Sequence, residues 1–214
     1  MCRLLAIASA DPVDCAPHLR AFARIARESR EYQGHGWGLA RHDGGEWKTY
    51  HDIRPIWDDD LDQFGRATVL VAHARSAFRD EGIAVENNMP FVDAPFAFVF
   101  NGELHGVRIR EAGRIGAEKL FRFLCRHGAA AGADGMRTAL RLVGQRVRRT
   151  RALNAVVAGE GRFVVCSAFD SDEAYFTMHA RREPGLRVVC SEPYGDGGWT
   201  PLANGTVEEF PWFS

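Results

Sequence analysis

Residues 1–9 read MCRLLAIAS, which places a cysteine directly behind the initiator methionine and an apolar run behind the cysteine. The apolar run predicts a short first strand over residues 3–9. The position of Cys2 has two possible explanations. It is a small residue that happens to begin a strand, or it becomes the N-terminal nucleophile of an enzyme after Met1 is removed. In the second reading a free α-amine, with a pKa of about 8, can accept the proton of its own thiol.

The composition is that of a globular chain without a strong charge bias. The 214 residues include 27 Lys and Arg against 28 Asp and Glu, and 46% of the residues are hydrophobic. This length suits one large domain, so we predict a single domain over residues 1–214. A net charge near zero gives no general attraction to nucleic acid or to membranes, and no apolar run is long enough to span a bilayer. We therefore expect neither as a partner.

The N-terminus and the cysteines indicate the compartment. The stretch MCRLLAIASADP combines a basic residue, an apolar run and a small-residue site, as a signal peptide does. Signal peptides run to about 15–30 residues, however, and this candidate ends by Asp11, so secretion is not expected. The five cysteines are odd in number and widely separated, without a CxxC pair: Cys2, Cys15, Cys125, Cys166 and Cys190. Such spacing suggests neither a disulfide framework nor a zinc site. We predict a cytoplasmic protein with no metal or other cofactor.

Hydrophobic spacing predicts strands near both ends of the chain and helices between them. Helices are expected over residues 14–30, with Asp14 as N-cap, and over about 59–66, 116–128 and 133–149. Strands are expected in a hairpin over 36–52 and over 67–77, 94–104, 152–159, 162–168, 174–180 and 186–192. Because strands and helices are segregated rather than alternating, the pattern predicts an α+β fold with sheets packed on each other and helices outside.

An arginine stands at the end of an apolar strand in AHARSA, residues 72–77. The guanidinium of Arg75 can bind a carboxylate through two parallel hydrogen bonds, so at a strand end it can hold an acidic substrate. The alternative is a surface arginine with a solvated head. His73, in the same segment, is a base, a ligand or a hydrogen-bonded core residue.

An Asn-Gly pair follows another apolar strand in FNGEL, residues 100–104. In most sequences such a pair is a turn. Alternatively, the side-chain amide of Asn101 and the backbone N–H of Gly102 point at one oxygen and form an oxyanion hole, with glycine allowing the close approach.

Taken together, the N-terminal cysteine, the strand ending in HAR and the strand ending in NG resemble the class II glutamine amidotransferases, which are N-terminal-nucleophile hydrolases. The chain is similar to their single-domain branch, which includes the γ-glutamyl hydrolase of ergothioneine biosynthesis. The resemblance covers nearly the whole chain and is carried by MCRLLA, HGWGLA, NNMPF and VVCSEPYGDGGWTPLANGTV.

The resemblance implies a four-layer αββα sandwich of two antiparallel sheets. It also implies an amidohydrolase that cleaves glutamine or another γ-glutamyl amide through a γ-glutamyl thioester on Cys2. The implied catalytic residues are Cys2, Asn101 and Gly102. The implied substrate-binding residues are Arg75, which would hold the α-carboxylate, Ser76, Trp37 and Glu118.

One departure from the family concerns the substrate's α-ammonium. The family has an aspartate for it where this chain has Gly116, and Glu118 is the only carboxylate nearby. Amide hydrolysis is therefore better supported than free glutamine as the substrate. Two alternatives stay open: a non-catalytic binding or scaffold protein that kept the fold, and an ammonia-supplying subunit of a larger synthase. The expected partners are a small γ-glutamyl substrate and either a synthase partner or further copies of the chain.

Overall fold

Two antiparallel sheets form the centre of the fold, in a computed structural model that describes residues 1–77 and 81–213. In chain order the strands are β1 (Arg3–Asp14), β2 (Trp37–His42), β3 (Lys48–Asp52), β4 (Arg66–Ala74), β5 (Phe91–Asp93), β6 (Phe96–His105), β7 (Arg149–Gly159), β8 (Arg162–Ser167), β9 (His179–Glu183), β10 (Leu186–Cys190), β11 (Trp199–Pro201) and β12 (Thr206–Pro211). One sheet has the order β11-β9-β10-β1-β4-β2-β3 and the other β12-β8-β7-β6-β5.

One helix follows β1, two lie between β6 and β7, and a single helical turn lies between β8 and β9. They are α1 (Cys15–Glu28), α2 (Gly116–Arg126), α3 (Ala133–Gly144) and the single turn α4 (Glu173–Phe176). Short 3-10 turns lie at Ile56–Asp58, Leu61–Phe64, Val85–Asn87 and Ala129–Ala131. Within the described ranges no helix has the length and apolar character needed to cross a membrane.

The side chains of β1 alternate between two cores, because successive residues of a strand point to opposite faces. Leu5 and Ile7 pack with the buried face of α1, whereas Leu4 and Ala6 pack into the larger core shared with the second sheet. That larger core also takes in the buried faces of α2 and α3. The layers are therefore α1, the β1 sheet, the β6 sheet, and α2 with α3. The predicted α+β class and αββα sandwich are confirmed.

Asp14 joins the first strand to the first helix, as the sequence predicts. Its carboxylate accepts a hydrogen bond from the N–H of Ala16 at 3.0 Å, so it caps α1 and satisfies one of the free donors of the first turn. The strand itself runs beyond the predicted residue 9 and reaches Asp14, with an irregularity in its pairing to β4 between Ala8 and Val13.

Two predicted boundaries are wrong. The helix predicted over 133–149 ends at Gly144, because the chain then enters the second sheet, where the N–H of Arg148 donates to His105 O at 2.8 Å. The strand predicted over 174–180 begins instead with α4. Tyr175 and Phe176 are both buried in that single turn, and two adjacent buried aromatic residues look locally like part of a strand.

Candidate active site

Cys2 directly precedes the first residue of β1 and lies next to the C-terminal end of β4. The pairing of Arg3 with Ala74 brings the thiol of Cys2 against the backbone of Ser76. The Ser76 N–H donates to Cys2 Sγ at 3.4 Å, and Ser76 O lies 3.6 Å from the same sulfur. Burial raises the pKa of the Cys2 thiol, while the N-terminal ammonium, the Ser76 N–H and Arg75 act in the opposite direction. The thiol therefore needs a nearby base to become a nucleophile.

Arg75 is buried, and its hydrogen-bond partners among the described residues are neutral. It is 7% exposed, and its guanidinium donates to two neutral oxygens, Asn88 Oδ1 at 3.4 Å and Gly82 O at 2.9 Å. No carboxylate in residues 1–77 or 81–213 forms an ion pair with it. A buried charge is costly unless it is paired. Arg75 directly precedes Ser76, whose backbone contacts Cys2 Sγ, and its role in binding a substrate carboxylate stays a prediction.

Gly36 supports Arg75 from the adjacent chain segment. Its carbonyl accepts the N–H of Arg75 at 2.9 Å. The residue has φ of +101°, and a Cβ there would lie 2.2 Å from Asn88 Nδ2 and 2.7 Å from Asp52 O. Glycine is therefore required twice, by its backbone angle and by the approach of the amide that also contacts Arg75.

Asn101 and Gly102 lie inside β6 and do not form the turn that their sequence would usually predict. Asn101 is 1% exposed, and its Oδ1 has no hydrogen-bond partner among the described residues. A Cβ on Gly102 would lie 2.2 Å from Ala152 O on the neighbouring strand, so only glycine fits. A buried amide with an unused oxygen, beside an obligatory glycine, is unusual for a purely structural strand.

His73 ties the two sheets together near these residues. It is fully buried, and burial lowers its pKa to about 3, so the ring is neutral and its Nε2–H donates to Phe100 O at 3.1 Å. His73 on β4 stands two residues before Arg75 in the chain, and Phe100 on β6 stands one residue before Asn101. His73 is a core residue that brings the Cys2 end of β1 and the Asn-Gly pair to the same end of the sandwich. No cluster of three or more metal-ligating side chains occurs in the described part of the chain.

Trp37 does not line this site, contrary to the prediction. Its side chain is fully buried in the core beneath α1, where Nε1 donates to Asp59 Oδ2 at 3.0 Å. The alternation along β2 turns Trp37 and Leu39 to the α1 face, whereas Gly38 lies on the face of His51 and Met89. The motif itself does not specify which face of the sheet each of its residues takes.

Glu118 is held by two arginines close to it in the chain, one before α2 and one within it. It accepts the N–H of Arg114 at 2.8 Å and pairs with the side chains of Arg114, at 3.2 Å, and Arg122, at 3.6 Å. It lines a cavity of about 290 Å³ together with Asn88, the residue that contacts Arg75. It makes no hydrogen bond or ion pair with Cys2, Arg75 or Asn101, so direct contact with a substrate at Cys2 stays a prediction. A Cβ at Gly116 would meet nothing within 4 Å.

Three residues around Met1 were missed by the sequence analysis. The N-terminal ammonium pairs with Glu31, and Met1 O accepts from Gln33 Nε2 at 2.5 Å and from Tyr175 OH at 2.7 Å. Tyr175 is 174 positions away from Met1, and no motif or spacing links these residues in the sequence. They surround the bond that must break if Cys2 is to become the N-terminus.

The known proteins that match this chain were found among solved structures. No protein-family model matches the chain, and no curated protein does either. A glutamine aminotransferase class-II domain protein from Silicibacter pomeroyi has a TM-score of 0.65 at 17% identity, over 99% of this chain and 100% of the other. A predicted glutamine amidotransferase from Pseudomonas aeruginosa has 0.62 at 15%, over 98% and 97%. Glutamine phosphoribosylpyrophosphate amidotransferase from B. subtilis has 0.61 at 16%, over 88% and 41%.

The chain therefore has the same fold as these glutamine amidotransferase structures, an αββα sandwich of two antiparallel sheets. The proteins from S. pomeroyi and P. aeruginosa match it over nearly their full lengths, whereas the B. subtilis enzyme is more than twice as long as the matched part. The resemblance inferred from the motifs is confirmed for the fold. The link to ergothioneine biosynthesis stays a prediction.

Proposed function

We propose that this protein is an amidohydrolase that cleaves γ-glutamyl amides through a thioester on Cys2. The observation that carries the proposal is the position of the Cys2 thiol against Ser76, directly beside the buried Arg75, which has no acidic partner among the described residues. The thiol supplies a nucleophile, and the guanidinium supplies a site for the α-carboxylate of a glutamyl group.

In the first half of the reaction, removal of Met1 gives Cys2 a free α-amine, which takes the proton of the thiol. The thiolate attacks the amide carbonyl carbon, and the C=O electron pair moves to the oxygen, where Asn101 and Gly102 stabilise the negative charge. When that pair returns, the C–N bond breaks and the leaving amine takes the proton from the α-ammonium. The product on the enzyme is a γ-glutamyl thioester.

In the second half a water molecule gives a proton to the α-amine and attacks the thioester carbon. The C–S bond breaks, glutamate leaves, and the thiolate recovers the proton from the α-ammonium. One water is consumed, and one amine and one glutamate are formed for each amide. The same residue is nucleophile, base and acid, so no second base is needed and the neutral His73 stays a structural residue.

Free glutamine should be a poor substrate, because Gly116 stands where the family has the aspartate for the α-ammonium. A Gly116→Asp variant has room for its side chain, since nothing lies within 4 Å of a Cβ there. We expect this variant to raise kcat/KM for glutamine relative to a γ-glutamyl amide without a free α-amine. Efficient use of glutamine by the wild type, with no gain in Gly116→Asp, would contradict this assignment of the amine pocket.

One observation favours the scaffold alternative. Met1 is well accommodated, with its ammonium paired to Glu31 and its carbonyl bonded by Gln33 and Tyr175. A chain that keeps Met1 has an amide at the nitrogen of Cys2 and cannot use that nitrogen as a base. Whether Met1 is removed therefore distinguishes the amidohydrolase from the non-catalytic scaffold.

The test uses untagged protein, whose mass shows whether Met1 is removed, and a panel of γ-glutamyl amides assayed for glutamate release. We expect the mature chain to begin at Cys2, and Cys2→Ala to lose at least about a thousandfold of the activity. Cys125→Ala is the matched control, because Cys125 is a half-buried cysteine of α2 outside the site. A homogeneous species that retains Met1, or equal activity of Cys2→Ala and wild type, would refute the proposal and favour the scaffold.

A further inference from the structure

Met1 lies in a pocket with a partner for each of its polar backbone atoms. Glu31 pairs with its ammonium, and Gln33 Nε2 and Tyr175 OH donate to its carbonyl at 2.5 and 2.7 Å. Its side chain packs against an apolar cluster made of Ala152, Tyr175, Phe176 and Phe169. These contacts would be lost when Met1 is removed, and their partners would be left facing the new N-terminus.

We propose that the space vacated by Met1 binds the leaving amine of the substrate, and that it selects γ-glutamyl amides whose leaving amine carries a second, cationic nitrogen. This inference rests on the proposed function and names the substrate class of that same site. The partners that now hold an ammonium and a carbonyl would hold an ammonium and an oxygen acceptor of the leaving group.

The reaction itself puts the leaving amine there. The leaving nitrogen must take its proton from the α-ammonium of Cys2, so in the transition state it lies at hydrogen-bond distance, about 3 Å, from that nitrogen. Removal of Met1 opens the direction in which its carbonyl carbon was bonded to the nitrogen of Cys2. A substituent on the leaving nitrogen then extends into the space where the rest of Met1 lay.

The polar side chains around Met1 are also held by residues other than Met1. Gln33 is fully buried, and its Nε2 also lies 2.8 Å from Glu31 O and 3.2 Å from Tyr175 OH. Its Oε1 is buried and has no hydrogen-bond partner in the described residues, so it can accept one from a ligand. Tyr175 is held by Arg3, which donates to Tyr175 O at 3.2 Å and lies 4.0 Å over the ring.

The charges around the pocket favour a cation. Three carboxylates, of Glu31, Glu103 and Asp172, are linked by Arg151 at 3.5, 3.1 and 3.9 Å, and Arg30 pairs with Asp172. Within this group the carboxylates outnumber the guanidiniums by one, and Glu31 pairs with the ammonium of Met1 in the unprocessed chain. His105 also contacts Glu103, and Arg3, which lies against Tyr175, pairs with Glu192. Removal of Met1 takes away the ammonium bound to Glu31, so this carboxylate can pair with the α-ammonium of Cys2 or with a cationic ligand, and while Cys2 acts as a base its own amine is neutral.

The test compares two substrates of nearly equal shape, γ-glutamyl-butylamide and γ-glutamyl-(3-aminopropyl)amide, in which an ammonium replaces the terminal methyl group. We expect the processed wild type to prefer the cationic amide in kcat/KM by about tenfold or more, as for a hydrogen bond to a charged group. Glu31→Gln should reduce this preference to near unity. Asp134→Asn, which removes a fully exposed carboxylate of α3 that pairs with Arg137, should keep it.

The rival role for Glu31 is to pair with the α-ammonium of Cys2 alone. Glu31→Gln would then lower both rates equally and shift the pH profile of both substrates, and an unchanged preference would overturn the inference. Binding of 1,3-diaminopropane to processed Cys2→Ala, measured by calorimetry, gives a readout without catalysis. We expect binding there, and none in the double variant with Glu31→Gln or in chains that retain Met1. Hydrolysis without diamine binding would refute the proposed amine pocket and leave the proposed amidohydrolase function standing. Diamine binding without any hydrolysis would refute the proposed function and leave the pocket standing.

Discussion

Replacing Arg75 with lysine tests the proposed carboxylate site while it keeps the positive charge. The guanidinium is 7% exposed and already donates from two nitrogens, to Asn88 Oδ1 and Gly82 O. Its remaining donors can bind a carboxylate through a planar fork, whereas a lysine ammonium offers a single point of contact. Arg75→Lys should therefore lose at least one charge-assisted hydrogen bond to the substrate.

The size of the effect follows from the burial of the group. A hydrogen bond to a charged group contributes about 1.5–3 kcal/mol, and water does not screen this pair because Arg75 is buried. Since about 1.4 kcal/mol is a factor of ten, kcat/KM should fall by about 10–150-fold. The variant also loses a bond to Asn88 or Gly82, which should cost about 1 kcal/mol of folding stability.

The assay separates these two effects by using a substrate without the α-carboxylate. The kcat/KM values of γ-glutamyl-butylamide and 4-aminobutanoyl-butylamide are measured in the wild type, Arg75→Lys and the control Arg137→Lys, which alters an exposed arginine of α3. The preference for the α-carboxylate should fall by 10–150-fold in Arg75→Lys only. Equal losses on both substrates would mean that Arg75 acts through the fold and would refute the reasoning.

Three other variants test the site and its supports. Asn101→Ala should lower kcat by about 10²–10³-fold, and a raised KM with normal kcat would contradict the oxyanion role. Gly36→Ala should lower the free energy of unfolding by about 1–3 kcal/mol. Gly44→Ala, at φ of +90° with no atom within 4 Å, should cost less in urea denaturation, and equal losses would argue against the clash with Asn88. The folded pKa of His73, about 3, lies below its unfolded value of about 6.5, so the unfolded chain binds the extra proton. This contribution to stability is full above pH 6.5 and falls by up to about 1.4 kcal/mol per pH unit toward pH 3. His73→Gln should flatten the unfolding profile in that range, and parallel profiles would refute the assignment.

The local pattern of the sequence was enough to predict the elements that bury one face. The apolar spacing of Leu19, Phe22 and Ala26 is that of a helix with a buried side, and α1 has that side against the sheet. Cys2, Arg75 and Asn101 each stand at the beginning or end of an apolar run, and the resemblance to a known family, rather than this position, singled them out. These features depend on residues close together in the chain.

The contacts that make a site were decided by tertiary structure. Cys2 lies beside Arg75 because β1 and β4 pair in one particular register, and Trp37 turns away because of the face that β2 presents to α1. Met1 is surrounded by Tyr175, 174 positions away, and by Gln33. Hydrophobic periodicity indicates which side chains of an element share its buried face. It carries no information about which distant residue each of them contacts. Such partners come together only when distant strands pair and the two sheets pack.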